Sequence, residues 1–82
     1  MQVKLSKQAE KYYLSQDRVS RQRIKKGLMG LEEVPPIGDI VSIAGTSNTY
    51  RLRIGNFRVL FEVENDIIIV TKLHSRGQIY KY

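Results

Sequence analysis

The chain has 82 residues, no cysteine, one histidine and a formal net charge of +6. A chain of this length closes one small core that buries about 60 % of its unfolded surface, so a single domain over residues 1–82 is expected, and the absence of thiols excludes a disulfide framework or a thiolate metal site. Lys4, Lys7, Glu10 and Lys11 interrupt the N-terminal stretch and no apolar run reaches membrane length, which predicts a cytoplasmic protein with no membrane partner, while the excess of cations points to a polyanion or an acidic protein.

In chain order, Met1 to Leu5 alternates polar and apolar residues and predicts an edge strand. Ser6 is placed to cap a helix from Lys7 to about Leu14. Ala9, Tyr12 and Tyr13 share one side of it, with Lys7, Glu10 and Lys11 outside. Ser15-Gln16-Asp17 breaks this helix and caps a second one, from Arg18 to about Glu32, in which Ile24, Leu28 and Leu31 form the inward stripe. The short link makes the pair an αα-hairpin. The second helix also carries Arg18, Arg21, Arg23, Lys25 and Lys26, five cations in nine positions without an acid. A phosphate backbone and a plain solvated face both suit such a run. Gly27 and Gly30 lower helix propensity and suggest close packing against a sheet. Val34-Pro35-Pro36 ends the helix, residues 37–39 form a connector, Ile40 to Ala44 predicts a strand, and Gly45 to Asn48 a polar loop.

From Tyr50 to Tyr82 three β-branched and aromatic runs are separated by Gly55-Asn56 and Asn65-Asp66, the pattern of an antiparallel meander. The resulting order, β-α-α-β-β-β-β, is an α+β fold: a helical hairpin packed on a mostly antiparallel sheet of four to five strands. Because strands alternate faces, Tyr50, Leu52, Phe57, Val59 and Phe61 belong to the core with the helical stripe. Arg51, Arg53 and Arg58 then emerge together on the opposite face, which is expected to be open, basic and free of interleaved acids. A solvated strand face is the plain alternative for these arginines. His74, the single histidine, lies late in the last strand, where packing or hydrogen bonding competes with a chemical role. One histidine, no cysteine and scattered carboxylates provide no metal-ligand set.

The run Tyr50-Arg51-Leu52-Arg53-Ile54-Gly55-Asn56-Phe57-Arg58-Val59-Leu60-Phe61, followed by Leu73-His74-Ser75-Arg76-Gly77-Gln78-Ile79-Tyr80, resembles the RelE/ParE superfamily of toxin-antitoxin toxins. The hairpin that ends at Leu31 and Pro35 also suits it, so the resemblance spans essentially the whole chain. It implies a toxin of a type II toxin-antitoxin system. In the RelE branch such a toxin is a ribosome-dependent endoribonuclease that enters the A site and cleaves mRNA. The partners implied are a cognate antitoxin, the ribosome and mRNA, with no cofactor and no metal. Arg58, His74, Arg53 and Tyr80 match catalytic positions of that branch; Arg51, Arg53, Lys72 and Arg76 match RNA-contacting ones. Arg58 is expected to hold transition-state charge, and Tyr80 to stack on a base or bond near the 2′-OH, unless it merely ties the tail to the sheet. Position 53 is often lysine in the branch. Arginine stays protonated, so the general base must be another group: His74, which is equally suited to be the general acid, or Glu62, which shares the face of Arg58. The ParE branch, non-catalytic and directed at DNA gyrase, is the alternative.

Overall fold

A computed structural model describes residues 1–75. Strand β1 (Gln2–Leu5) leads into helix α1 (Lys7–Ser15) and helix α2 (Arg18–Gly30), followed by β2 (Asp39–Ser42), β3 (Thr49–Ile54), β4 (Phe57–Glu64) and β5 (Ile67–Ser75). The five strands form one sheet in the order β1-β5-β4-β3-β2. All neighbours are antiparallel except β1 and β5, which run parallel with Val3 opposite Ile68. The predicted α+β architecture is therefore present, with the first strand recruited to the edge beside the last.

Local chemistry accounts for the helix starts. The Ser6 hydroxyl accepts from the Ala9 amide at 3.1 Å and donates to the Thr71 carbonyl at 2.8 Å, capping α1 while tying it to β5. Asp17 accepts from the Ser20 amide at 2.7 Å, and that bond, aided by the Ser20 hydroxyl, holds its carboxyl below the ordinary aspartate range. Helix α1 runs one residue beyond the expected Leu14. Helix α2 stops at Gly30 rather than Glu32, because Gly30 turns its carbonyl to the Ile37 amide at 2.9 Å.

The core lies between the helices and one sheet face. Ala9, Ile24 and Leu31 meet Leu52, Val59, Phe61, Ile68, Val70 and Leu73, all essentially inaccessible. Phe61 stacks on Tyr50 at 5.5 Å between ring centres, a contact made possible by their direct pairing across β3 and β4.

Both glycines of α2 sit where a methyl group has no room. A Cβ on Gly27 would strike the Ile54 side chain, and one on Gly30 would strike the Ile37 carbonyl oxygen. The Ile54 side chain can rotate away, but the Ile37 backbone is held against Gly30 by its own N–H, which donates to the Gly30 carbonyl. Gly30→Ala is therefore expected to destabilise the fold by about 1–3 kcal/mol, the usual cost of overpacking, as a fall in the urea midpoint with an unchanged m-value.

Candidate functional site

The two hairpins of the meander place the predicted side chains. Both loops contain two residues, with Gly55 at φ 56° in the first and Asn65 at φ 54° in the second, the left-handed backbone that glycine and asparagine tolerate best. Ile54 consequently pairs with Phe57, and Arg53 with Arg58. Arg58 in turn pairs with His74, and Arg53 with Asp39. Directly opposed residues point to the same side, so Asp39, Arg53, Arg58 and His74 form one row across four strands, on the face away from the helices. At about 4.8 Å per strand the row spans about 14 Å.

The adjacent row contains Val41, Arg51, Leu60 and Lys72. Lys72 reaches this face only because β5 carries a bulge: Leu60 pairs with Lys72 and Phe61 with Val70, leaving Thr71 as the extra residue. The structure thus brings together Arg51, Arg53, Arg58, Lys72 and His74. Arg76 and Tyr80 lie outside the described residues.

Two expectations about this face need correction. It is not open: Leu60 is 4 % exposed and Arg58 only 8 %. Leu60 sits between Arg51 and Lys72, whose aliphatic stems are apolar neighbours for it. The Arg58 guanidinium folds toward its own hairpin, where Nη1 donates to the Gly55 carbonyl at 2.9 Å and the Phe57 carbonyl at 3.1 Å. Nor is the face free of acids. Asp39, read from the sequence as part of a connector, is the first residue of β2. Its Oδ2 accepts from Arg53 Nε at 2.6 Å and its Oδ1 lies 3.7 Å from Arg51 Nη2. The pair is half exposed, so it contributes about 0–1 kcal/mol to stability. Its larger effect is to aim two guanidinium forks at one point.

His74 is held from a different direction. Strand β1 ends opposite Val70, which leaves the outer edge of β5 beyond that point without a strand. Gln8, in the first turn of α1, occupies this edge: its Oε1 accepts from the Leu73 amide at 3.0 Å, and its Nε2 donates to the Leu73 carbonyl at 2.9 Å. The same Nε2 lies 3.1 Å from His74 Nε2. Tyr12, the next turn of α1, sets its ring edge-to-face on His74 at 5.4 Å and on Phe57 at 6.3 Å. His74 Nδ1 is buried and has no hydrogen-bond partner among the described residues. Gln8 and Asp39 were not legible as site residues, because neither lies in a motif and each acts on a partner distant in sequence, Asp39 across a strand pairing and Gln8 from a helix onto a strand edge.

The basic surface continues around the β3 side. Arg53 shares with Arg23 and Lys26 of α2 the rim of a groove of about 420 Å³, whose floor includes Gly27, Leu52 and Ile54. Among the described residues no three of His, Cys, Asp and Glu converge to hold a metal ion, and no helix is long and apolar enough to cross a membrane.

Comparison with known proteins gives consistent findings. Residues 3–80 match the family described as the ParE toxin of the type II toxin-antitoxin system parDE. Toxin RelE3 of Methanocaldococcus jannaschii is 46 % identical over 44 residues, 54 % of this chain and 50 % of that protein, so the match spans half of the relative's length. The RelB-RelE antitoxin-toxin complex from Methanococcus jannaschii matches with a TM-score of 0.77 and 30 % identity, covering 96 % of each chain. The archaeal RelE-RelB complex from Pyrococcus horikoshii matches with a TM-score of 0.76 and 28 % identity, covering 94 % of this chain and 96 % of the other.

Proposed function

The chain belongs to the ParE toxin family of type II toxin-antitoxin systems, within the RelE/ParE superfamily, and from that premise we propose that it is a ribosome-dependent endoribonuclease that cleaves mRNA in the A site. The observation that carries this reading is the row Arg53–Arg58–His74, one residue from each of three adjacent strands, with Arg51 and Lys72 beside it. The charge and planar forks of its arginines suit a phosphodiester.

In the proposed reaction the ribose 2′-oxygen bonds to the adjacent phosphorus while the bond from phosphorus to the 5′-oxygen breaks. The 2′-OH proton passes to a base, the leaving 5′-oxygen takes up a proton, and the products are a 2′,3′-cyclic phosphate and a 5′-hydroxyl. Arg58 has the role of stabilising charge on the phosphoryl oxygens: it is buried and its Nη1 is anchored, so its fork is oriented before substrate arrives. Arg51 and Arg53 position the strand, and phosphate competes with Asp39 for their guanidiniums. His74 is the proposed proton acceptor, once the 2′-OH replaces the Gln8 N–H at its Nε2. Glu62 stands in a different row, opposite Thr49 and Ile69, and the proposal gives it no role. Arg76 and Tyr80 keep the proposed roles of RNA contact and base stacking.

The partner proposed from the RelE-RelB structures is a cognate antitoxin. The test is a purified translation system programmed with a defined messenger, with cut sites mapped by primer extension. Cleavage that requires ribosomes is the expected result. An intact messenger would overturn it and favour a second reading, non-catalytic inhibition of DNA gyrase, which the ParE description of the matching family supports and a supercoiling assay would detect.

A further inference from the structure

We propose that Gln8 is a positioning residue that sets the tautomer and orientation of His74; this rests on the reading of His74 as a proton acceptor only for its catalytic consequence. The geometry begins with the amide of Gln8. A side-chain amide has one acceptor oxygen and two N–H donors. Here the oxygen is committed to the Leu73 amide and one N–H to the Leu73 carbonyl, so the amide cannot be reversed without facing its oxygen to a carbonyl and its NH₂ to an N–H. The second N–H is therefore the one aimed at His74 Nε2, 3.1 Å away.

A donor on that side requires an acceptor on the imidazole. His74 Nε2 must present its lone pair, and the ring proton must reside on the buried Nδ1. An imidazolium, or a neutral ring protonated on Nε2, sets N–H against N–H. Of the groups that face the ring from the neighbouring elements among the described residues, Tyr12 on α1 presents its ring and Arg58 on β4 a guanidinium that only donates. Gln8 thus keeps a basic nitrogen with its lone pair on the ring's outward contact, and the edge of β5 fixes Gln8 in turn. When RNA binds, the ring turns its Nε2 from the Gln8 N–H to the 2′-OH, with that nitrogen already in the accepting form.

The experiment is nitrogen-15 NMR of the His74 ring at about pH 8, where an ordinary imidazole is neutral, on the wild-type protein, Gln8→Glu and Gln8→Ala. Wild type is expected to show an unprotonated Nε2 and a protonated Nδ1. Gln8→Glu keeps an acceptor for the Leu73 amide but turns an oxygen to both the Leu73 carbonyl and the ring; only the ring can answer with an N–H, so the proton is expected on Nε2. Gln8→Ala is expected to lose the single fixed state. A protonated Nε2 in wild type, or the same ring state in wild type and Gln8→Glu, overturns the proposal. These spectra need neither ribosome nor RNA, so they stand or fall separately from the cleavage reading. In the cleavage assay Gln8→Ala is expected to lose on the order of tenfold in kcat, a part of the about 10²- to 10⁴-fold that a positioned acid–base group supplies, with KM nearly unchanged. In a His74→Ala background the same substitution should cost nothing further in kcat; a full additional loss there would mean that Gln8 acts only through the fold.

Discussion

Arg58→Ala is expected to reduce mRNA cleavage by about 10²- to 10³-fold, the loss typical when one preorganised donor to a transition-state oxyanion is removed. The expectation follows from three features of the residue. Arg58 is the middle member of the row, flanked by Arg53 and His74, so a phosphate held by that row meets its guanidinium. It is 8 % exposed, so its field is less screened than that of a surface arginine. Its Nη1 is already committed to the Gly55 and Phe57 carbonyls, so the fork needs little ordering on binding. Arg58→Lys keeps the charge but loses the planar fork and is expected to recover little of the rate. Because the substitution also removes two hydrogen bonds from the β3–β4 turn, thermal melting must accompany the assay. Cleavage within threefold of wild type in a folded Arg58→Ala protein would remove Arg58 from the mechanism.

Phe61→Ala carries the largest expected effect on stability, a loss of about 3–5 kcal/mol. Phe61 is fully buried in β4, the strand flanked by β3 and β5 near the middle of the sheet, and its ring stacks on Tyr50. Substitution removes the ring from the core and leaves Tyr50 without its stacking partner. Domains of this size have about 0.05–0.15 kcal/mol per residue in hand, so the variant is left close to the unfolding threshold. At roughly 4–8 °C per kcal/mol for a domain of this size, Tm is expected to fall by at least about 12 °C in a melt followed by circular dichroism. A fall of a few degrees would mean that Tyr50 and Val63 collapse into the space.

The two predictions differ in how their residues were found. The core position of Phe61 follows from its alternation with Arg58, Leu60 and Glu62 alone, since period 2 in a strand sorts side chains to two faces whatever the neighbours are. The shared face of Arg51, Arg53 and Arg58 follows from the same parity together with a two-residue loop at Gly55-Asn56, which sets the register of β3 on β4. The anchored, buried state of Arg58 does not follow. Parity says which face a side chain leaves from, and nothing about what lies over it there. Likewise His74 was legible as the single imidazole of the chain, while its hydrogen-bond state depends on Gln8, 66 positions away.

By itself, then, the sequence determined the elements whose causes lie within a few residues: the caps Ser6 and Asp17, the two loops of the meander, and the arginines on one face. Only the tertiary structure decided the parallel docking of β1 beside β5, the bulge at Thr71 that brings Lys72 to the arginine face, the pairing of Asp39 with Arg53, and the seating of Gln8 on Leu73 and His74. The reason is range. Caps, turns and alternation are set by backbone geometry over about one turn or one pleat, whereas strand order and the partners of a side chain emerge when distant segments close a common core, and it is there that the histidine acquires its accepting nitrogen.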